Sequence, residues 1–530
     1  MNYSGYAMIH ARVVFAATSV GALLWLASTP ALAQADDTVP LIMLKPQGAA
    51  FGAQKLRRLY AALKKRSARA TSQMLPLTKT EVWTVPKDQV EPMRKTAARH
   101  GVVMSRLSAT WNRVFQKAPS DARITSKQKS ILDRARSSLA TLSVAMMAAP
   151  AAPMVEYALT KDPNVQSSTQ DSPTIAITLS DDSTLTLRRT SLDIQTDFCI
   201  WRGVVETTGA PATIIWWPDG TMTGTIQHQG RIFSIRHMGA QLQAIVELGE
   251  ERMPPEHAPM TQGRRANDPN LQDDPLVRQG DASKLKQSTG AVSPPDPKAP
   301  LPVKAASSPS DEITIDVIIA YTKKAAANYN DVKRELIDLS IEEANESFRK
   351  SGIAKVKLRL VHSYQTDYVE EGEHFLHVWR FADRGDGYMD EIHGLRDKFR
   401  ADVAVLIVDD SQGCGLATRV YADAEEAFAV VHHECAATSY SVAHEIGHII
   451  GARHDLSLDT STTPFAYGHG FVNGTKWRDI MSYKKSCGGC PRLPIWSSPK
   501  VMINGDVAGT ADTDNARVIV EQAARVAAFR

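Results

Sequence analysis

The sequence lacks a surplus of charge of either sign. Among 530 residues, 61 are lysine or arginine and 58 are aspartate or glutamate, which leaves a formal net charge of +3. A nucleic-acid-binding protein usually carries a clear basic excess, so the charge balance gives no reason to expect that class. Hydrophobic residues make up 43% and charged residues 22% of the chain, as in an ordinary globular protein. At this length, two or three domains are expected.

Long apolar runs are scarce as well. The run from Val13 to Ser28 is too short for a typical membrane span, and no later run competes with it. It follows a weakly basic start (His10, Arg12) and precedes the small residues Ala31-Leu32-Ala33, as in a secretory signal peptide. We therefore predict a signal peptide over residues 1–33, secretion to the extracellular space and no stable membrane association. An uncleaved membrane anchor is the alternative.

Cysteine is rare, with five residues in the chain. Four of them, Cys414, Cys435, Cys487 and Cys490, lie in the C-terminal part, whereas Cys199 lies far upstream. Secretion would place them in an oxidising environment in which cysteines can pair. An odd number leaves one cysteine that needs another explanation.

The region before residue 311 contains three kinds of sequence. Residues 34–170 have helical patterns, clearest in the basic amphipathic stretch from Lys55 to Arg69, with further helix predicted from Glu81 to Ala149. Residues 171–248 contain short strand patterns separated by turns, which predict a small antiparallel β domain without a catalytic constellation. Residues 249–310 are rich in proline and polar residues and nearly lack aromatic ones, so a disordered, protease-sensitive linker is expected there.

Residues 311–530 alternate between strand and helix patterns. Ile313 to Tyr321 and Val403 to Val408 are predicted as buried strands, with mostly helical segments around them. This alternation predicts an α/β unit in which helices cover a sheet. Ala427 to Val431 is predicted as a further short strand, placed at a sheet edge that could hold an extended peptide by strand addition.

The stretch from His444 to Asp455, His-Glu-Ile-Gly-His-Ile-Ile-Gly-Ala-Arg-His-Asp, is the most informative part of the chain. On a helix, His444 and His448 lie one turn apart on the same face, where their imidazoles can bind one Zn²⁺ at about 2.0–2.1 Å each. Gly451 permits a sharp turn that can bring His454 to the same ion. Three ligands leave the fourth tetrahedral position to water, which is typical of a catalytic zinc.

These residue types suit hydrolysis of a peptide bond. The zinc would acidify a water molecule and polarise the scissile carbonyl, and Glu445 would take the proton and pass it to the leaving amine. The extended motif resembles that of the metzincin zinc peptidases, which also have a methionine turn; Met481 in Asp479–Tyr483 fits that turn. Tyr483 is similar to a tyrosine of astacins and serralysins that reaches the metal or the oxyanion. We favour this catalytic role, and a packed aromatic ring near the metal is the alternative. Asp455 resembles the adamalysin pattern and is interpreted as a hydrogen-bond acceptor behind the ligands.

Several downstream segments resemble one metzincin family, the peptidyl-Asp metalloendopeptidases, which are exported and cut on the amino side of aspartate. The segments are Thr463–Phe471, Trp477–Tyr483, Cys490–Leu493, Trp496–Pro499 and Val526–Arg530. The resemblance implies a metzincin-like α/β (α+β) catalytic domain over 311–530, with a twisted mixed sheet and a zinc-site helix, preceded by a helical plus antiparallel-β propeptide. It further implies one catalytic Zn²⁺, held by His444, His448 and His454, polypeptide substrates, and a zymogen whose propeptide is the inhibitor.

Selectivity for aspartate requires a cation in the pocket that receives the residue after the scissile bond. In metzincins this pocket is walled by the segment after the methionine turn, so Lys484, Lys485 and Arg492 are candidates, with Arg478 just before the turn. We favour Arg492, because a proline and a cysteine restrain its backbone. A solvated surface charge is the simple alternative for each of them.

The cysteines agree with this resemblance. Pairing Cys414 with Cys435 and Cys487 with Cys490 would leave the catalytic domain without a thiol, although four cysteines permit three connectivities. Cys199 could then bind the zinc in the zymogen, as in the cysteine switch of matrix metalloproteases, or could be a buried core residue. An enzyme that cuts before aspartate could release itself at Ser310-Asp311.

Two further possibilities remain at the level of sequence. The domain could be a zinc-binding recognition or adhesion module without turnover, although the presence of Glu445 argues against this. Calcium could bind Asp409, Asp410 and Asp423, but their spacing matches no loop that we can name, and surface carboxylates are the preferred interpretation.

Overall fold

The computed structural model describes most of the chain. The described residues are 38–44, 53–75, 80–100, 102–106, 113–117, 124–148, 174–181, 183–195, 198–217, 221–239, 242–257, 312–372 and 374–530. The predicted signal peptide and the Ser310-Asp311 site lie outside them. Among the described residues, none of the helices combines the length and the apolar character needed to cross a membrane.

A small sheet with two helices comes first. Its elements are β1 (Thr38–Leu44), α1 (Ala53–Arg66), β2 (Thr71–Leu75), β3 (Thr80–Pro86), α2 (Val90–Arg99) and β4 (Val103–Arg106). The strands pair in the order β2-β3-β1-β4. The helices bury Leu59, Leu63 and Met93 against Trp83 of the sheet. The helix predicted in the basic amphipathic stretch is confirmed by α1, whose apolar side packs on the sheet while its basic residues surround it.

A closed β-barrel follows. Its elements are β5 (Arg113–Lys117), α3 (Ser126–Ser137), β6 (Thr141–Ala148), β7 (Thr174–Thr178), β8 (Thr184–Ile194), β9 (Cys199–Val205), β10 (Pro211–Trp216), β11 (Met222–His228), β12 (Arg231–Gly239) and β13 (Leu242–Gly249). The strand order is β10-β11-β12-β13-β6-β5-β7-β8-β9, and β5 with β7 is the parallel pair. Thr125 and Gln128 form a capping box at the start of α3, which packs Ile131 and Leu132 on the barrel.

The helical pattern predicted for residues 34–170 is therefore only partly confirmed, because strands alternate with the helices among the described residues. Within the stretch predicted as helix from Glu81 to Ala149, the described residues contain α-helices only at α2 and α3, with a 3-10 turn at Lys87–Gln89 and with strands between and after the helices. The strand β6 is rich in alanine and methionine, which favour helices, but it pairs along its length with β13. Pairing within the barrel outweighs this local preference, and the β-rich part begins well before residue 171.

The C-terminal unit, residues 312–530, contains the remaining elements. They are β14 (Ile313–Tyr321), α4 (Lys323–Ala326), a wide π-type turn (Lys333–Ile337), α5 (Asp338–Lys350), β15 (Val356–Gln365), α6 (His374–Ala382), α7 (Glu391–Phe399), β16 (Val403–Val408), β17 (Gly415–Ala417), β18 (Phe428–His432), α8 (Cys435–Thr438), α9 (Ser441–Ile450), β19 (Arg453–Asp455), β20 (His469–Gly470), β21 (Val472–Asn473), β22 (Trp477–Arg478), β23 (Ser498–Ile503), β24 (Asp506–Ala508) and α10 (Asn515–Val526).

The main sheet of this unit is mixed, in the order β15-β14-β16-β18-β17, with β17 antiparallel to its neighbour. One face packs on α5, α9 and α10, and the other face packs on α6 and α7. The α/β prediction is thus confirmed as a mixed helix-and-sheet unit. The predicted edge strand is wrong in position, because β18 is internal and β17 forms the edge. With three residues, β17 is too short to give a sequence pattern.

The start of the predicted linker is ordered. After β13 the chain forms a short helical turn at Glu250–Arg252 and continues to His257 along the C-terminal unit. We call residues 250–257 the strap. A linker was expected here from the proline and polar residues, but two of these polar residues, Glu250 and Glu256, form ion pairs with buried arginines of the C-terminal unit.

The barrel also contacts the C-terminal unit through buried polar groups. Arg202 of β9 forms ion pairs with Glu342 and Glu346 of α5, the latter at 3.0 Å. Arg236 of β12 lies 3.4 Å from Glu434, just before α8. The N-terminal region is therefore docked on α5 and next to α8, the short helix that directly precedes α9.

Candidate metal centre and active site

The helix α9 carries His444, Glu445 and His448, and all of its residues are buried. It ends at Gly451, whose φ of +133° lies in the region that side chains disfavour. A Cβ atom there would also lie 2.9 Å from the ring of Phe465. The turn reverses the chain into β19, which carries His454. The glycine thus provides the sharp turn that was predicted from the motif.

The three histidines converge on one point. Their Nε2 atoms lie 3.1 Å apart for His444 and His448, and 2.9 Å apart for each of these and His454. The Nδ1 atom of His444 donates to the carbonyl of Ile480 at 2.9 Å, and that of His448 donates to the carbonyl of Ala452 at 2.9 Å. A neutral histidine that donates from Nδ1 carries its lone pair on Nε2. At least two lone pairs therefore face each other at the centre of this histidine cluster.

This arrangement fits a metal ion. Zinc with bonds of about 2.0–2.1 Å in tetrahedral geometry separates its ligand nitrogens by about 3.3 Å, close to the separations found. Burial lowers the pKa of His444 to about 4 and lowers the pKa values of His448 and His454 well below the usual range. The rings are thus neutral, which is the form that binds metals. A shared cation also removes the repulsion between the lone pairs, so the donor set matches the predicted zinc site.

Glu445 points towards the edge strand β17. Its side chain is buried, which raises the pKa of the carboxyl group well above its ordinary value, and a hydrogen bond with the backbone of Ala417 opposes this shift. A Cβ atom on Gly415 would lie 2.3 Å from Oε1 of Glu445. The glycine therefore leaves the space that the carboxyl group occupies beside the histidine cluster.

The methionine turn lies beneath the metal site. Met481 is fully buried, and its Sδ atom would be 3.3 Å from a Cβ atom on Gly447 of α9. Tyr483 stacks at a tilt on His454, with ring centroids 4.3 Å apart. Its hydroxyl group is buried and has no hydrogen-bond partner among the described residues. A phenol held in this way is available to a group that enters the site.

Asp455 lies behind the ligands and binds the methionine turn. Its carboxylate accepts hydrogen bonds from the backbone N–H of Tyr483 at 3.2 Å and from Oγ of Ser486 at 2.9 Å. Asp455, which directly follows His454, is thus bonded to the backbone of Tyr483, whose ring contacts His454. The carboxylate thus occupies the hydrogen-bonding position that was predicted for it.

A narrow cavity of about 20 Å³ lies beside the histidine cluster. It is lined by residues of α9, of β17 and the residues around it, of the methionine turn and of the strap, namely Glu256, His257, Cys414, Gly415, Leu416, Ala417, Arg419, Ser441, His444, Glu445, His448, Tyr483 and Arg492. This active-site cavity brings together two of the three predicted ligands, His444 and His448, with Glu445, Tyr483 and the candidate cation Arg492.

The candidate cations lie in different surroundings. Arg492 is buried at the cavity and forms an ion pair with Glu256. Arg478 is buried beside it but pairs with Glu250 and binds the carbonyl oxygens of Ser482 and Cys490. Lys485 is exposed, with its ammonium 5.8 Å from the ring of Tyr483. Lys484 contributes its backbone N–H to Glu256 at 3.2 Å.

Both expected disulfides are present, one between Cys414 and Cys435 and the other between Cys487 and Cys490. Cys199 lies in the apolar core of the barrel with Trp201 and Trp216. It is not among the residues that line the active-site cavity. The structure therefore does not support the prediction that Cys199 binds the zinc in the zymogen. Residues of the strap, and not Cys199, line the active-site cavity.

The candidate calcium residues have different protein partners. Asp409 pairs with His433 at 2.8 Å, and Asp410 lies 3.2 Å from His374. Asp423 accepts hydrogen bonds from the N–H groups of Glu425 and Glu426 at 3.0 Å each. Each carboxylate thus has protein partners of its own.

Two features of the site were not found in the sequence. The edge strand β17 is too short to show a strand pattern in the sequence. The only local signal was Cys414-Gly415, a cysteine and a glycine next to each other. The strap was assigned to the linker, although Pro254-Pro255-Glu256 places a carboxylate after two residues that favour an extended backbone. The acidic residue that follows these two prolines was the available signal.

Comparison with known proteins shows which family the chain resembles. Residues 311–497 match Metallo-peptidase family M12. The chain is 37% identical over 312 residues to a peptidyl-Asp metalloendopeptidase of Xanthomonas campestris, covering 58% of this chain and 68% of that protein. It is 36% identical over 315 residues to one of Stenotrophomonas maltophilia with the same coverage, and 33% identical over 190 residues to one of Pseudomonas fragi, covering 36% of this chain and 100% of that one.

Among solved structures, metalloproteinase-II from Bacteroides fragilis aligns with 53% of this chain and 81% of its own, at a TM-score of 0.30 and 11% identity.

Proposed function

The chain belongs to the peptidyl-Asp metalloendopeptidase family and is a zinc metalloendopeptidase, and we propose that it is a secreted enzyme, made as a zymogen, that cuts polypeptides on the amino side of aspartate. The observation that carries the proposal is the convergence of three Nε2 atoms, 2.9–3.1 Å apart, beside the buried carboxyl group of Glu445. A recognition module without turnover would need the metal ligands but not this carboxyl group.

The residues divide the work as follows. His444, His448 and His454 would hold the zinc, which would supply Lewis acidity for a water molecule and for the scissile carbonyl. Glu445 accepts the proton of the attacking water and delivers it to the leaving nitrogen. Tyr483 donates its hydroxyl hydrogen to the oxyanion that develops on the carbonyl. Asp455 and Met481 hold the tyrosine and the ligand helix in place.

The edge strand β17 is proposed to bind the substrate. A strand edge offers backbone N–H and C=O groups to an extended chain, whatever its side chains. Because β17 passes directly over Glu445, a polypeptide paired with it would lie close to the histidine cluster. This supports a polypeptide as the substrate rather than a small amide.

A preference for aspartate after the scissile bond requires a fixed positive charge near the cavity. The names of the relatives support the preference for this chain, and Arg492, Lys484 and Lys485 are the candidate cations. A guanidinium group can bind a carboxylate with two parallel hydrogen bonds, which a lysine cannot do.

A precursor form is supported by the contacts of the N-terminal region. The ion pairs of Arg202 and Arg236 hold the barrel on α5 and next to α8, and the strap enters the active-site cavity. Secretion is supported by the apolar N-terminal segment and by the two disulfides, since disulfides persist in oxidising compartments.

The test is hydrolysis of denatured casein by the naturally processed protein, with products identified by mass spectrometry. We expect new amino termini that begin with aspartate, loss of activity with a zinc chelator, and recovery when zinc is returned. Glu445→Gln is the matched variant, and it should retain zinc by elemental analysis while losing at least about a hundredfold in activity. Zinc-loaded wild-type protein that leaves casein intact would contradict the proposal.

A further inference from the structure

The strap fills the cleft in which a substrate must bind. The carbonyl oxygen of Pro255 accepts a hydrogen bond from the N–H of Cys414 at 3.0 Å, immediately before the edge strand β17. Glu256 then turns its carboxylate towards Arg492 and accepts the N–H of Lys484 at 3.2 Å. The ring of His257 stacks on that of His374, with centroids 5.3 Å apart. The strap thus contacts the residue before β17, the segment after the methionine turn and the start of α6.

Arg492 is held ready for an acidic group. Its side chain is 5% exposed, and its guanidinium group donates to the carbonyl oxygens of Ser439 and Ser482 at 3.1 Å each. These bonds fix the plane of the group while leaving Nη2 directed at Glu256. Burial lowers the pKa of Arg492 to about 10, so it remains positively charged at neutral pH.

We propose that Arg492 selects the acidic side chain that follows the scissile bond, and that Glu256 occupies its position in the precursor as a built-in substrate mimic. This inference rests on the proposed endopeptidase function, since it assigns the specificity and the inhibition of that same site. The ligand class is a carboxylate side chain on an extended polypeptide.

The surroundings distinguish Arg492 from the other cations. Arg492 lines the active-site cavity together with His444, His448 and Glu445. Arg478, its neighbour across a β-bridge, has a similar set of partners in two carbonyl oxygens and Glu250, but it is absent from the cavity lining. The Glu250–Arg478 pair therefore serves as a second anchor that holds the start of the strap.

The strap blocks the site without presenting a bond for cleavage. A substrate must direct the carbonyl group before its acidic residue to the metal, but the corresponding carbonyl of Pro255 is bound to Cys414. The cavity that remains beside the histidine cluster measures about 20 Å³, roughly the space of one water molecule. No peptide can enter until the strap leaves.

The first test uses the full-length, zinc-loaded chain before processing, with its intact mass verified. Glu256→Gln removes the charge but keeps the shape, and Glu251→Gln is the matched control on an exposed neighbouring residue of the strap. The readout is cleavage of a fluorogenic peptide that has aspartate after the scissile bond. We expect Glu256→Gln to be at least about tenfold more active than the wild-type precursor, because a partly buried charge-assisted hydrogen bond is lost. Glu251→Gln should equal the wild type.

Hydrogen exchange provides a readout that does not depend on activity. The amide groups of Cys414 and Lys484 should exchange faster in Glu256→Gln than in wild type or Glu251→Gln. Unchanged exchange, or a Glu256→Gln precursor as silent as the control while processed wild type is active, would overturn the role of the strap. If processed wild type cleaves no peptide, the proposed function fails, and the exchange result still decides whether Glu256 holds the strap.

Selectivity is tested within the unblocked Glu256→Gln chain. We compare kcat/KM for two peptides that differ only in aspartate or asparagine after the scissile bond. Adding Arg492→Gln should reduce this ratio at least about tenfold. Arg492→Lys should reduce it less, because lysine keeps the charge although it cannot keep both bonds to Ser439 and Ser482 that orient the guanidinium group. Arg478→Lys is the control and should keep the ratio. An unchanged ratio in folded, zinc-loaded Arg492→Gln would overturn Arg492 as the selective residue.

Discussion

The Nδ1 atom of His444 donates a hydrogen bond to the carbonyl oxygen of Ile480, 2.9 Å away. Ile480 immediately precedes Met481, so the methionine turn supplies the acceptor that orients the first ligand as well as an apolar floor. His448 has the same kind of partner in Ala452. Both bonds aim Nε2 lone pairs at a common point, which is unfavourable unless a cation lies between them.

Removing zinc should therefore lower the melting temperature of the full-length chain. A ligand that binds only the native state stabilises it by about 4 kcal/mol at a thousandfold excess over its Kd. Differential scanning calorimetry of zinc-loaded and chelator-treated protein measures the shift. His454→Ala is the control, and its two scans should nearly coincide. Identical scans for the wild type would contradict a shared metal site.

Gly415→Ala should impair catalysis without removing the metal. The new Cβ atom would lie 2.3 Å from Oε1 of Glu445, which must move. Displacing a general base costs up to about 10²–10⁴ in rate, so we expect at least a tenfold fall in kcat. The control is Gly394→Ala on the exposed face of α7, where a Cβ atom meets nothing within 4 Å. An unchanged kcat in Gly415→Ala would contradict the prediction, because it would mean that the Glu445 side chain can shift without impairing catalysis.

Docking of the barrel should weaken as the pH rises. Glu343 of α5 accepts a hydrogen bond from Thr225 of the barrel, and burial raises its pKa to about 7. Thr225 and Lys350 oppose this shift, whereas Glu346 adds to it. A raised pKa means that the docked state binds the proton more tightly than the exposed state. Its stabilisation is complete below the ordinary pKa of a glutamate and is lost as the pH rises through about 7.

The measurement is the basal activity of the full-length chain between pH 5 and 8, divided by that of the processed enzyme at each pH. We expect this ratio to rise with pH in the wild type. Glu343→Gln keeps a neutral hydrogen-bond partner for Thr225 and should flatten the rise. A ratio that falls with pH would contradict the assigned direction.

The metal site could be predicted from sequence because its determinants are local. His444, His448 and His454 lie within eleven residues, and helix geometry with one glycine turn places them together. The chemistry of Glu445 follows from the same stretch. The strand β6 shows the opposite case, because its alanine and methionine residues favour a helix while its barrel partners impose a strand.

The strap could not be recognised in the sequence because its partners are distant. Glu256 meets Arg492, and Glu250 meets Arg478, each pair separated by more than 200 residues. The composition of residues 249–310 indicates a solvated linker, because the many polar residues are visible in the sequence while the buried arginines that bind two of them lie elsewhere in the chain. A substrate mimic is recognisable only once the cleft is known.

The two disulfides should contribute unequally to stability. Cys414–Cys435 has a sequence separation of 21 and connects the start of the edge strand β17 to α8, whereas Cys487–Cys490 has a separation of 3. In the chain-entropy description these loops correspond to about 3 and about 1.6 kcal/mol. We therefore expect the double variant Cys414→Ser, Cys435→Ser to lower the melting temperature of the C-terminal unit more than Cys487→Ser, Cys490→Ser, as measured by calorimetry at equal zinc occupancy. The reverse order would mean that the short loop beside Arg492 is stabilised by strap contacts that the disulfide holds in place, since loop entropy alone cannot produce it.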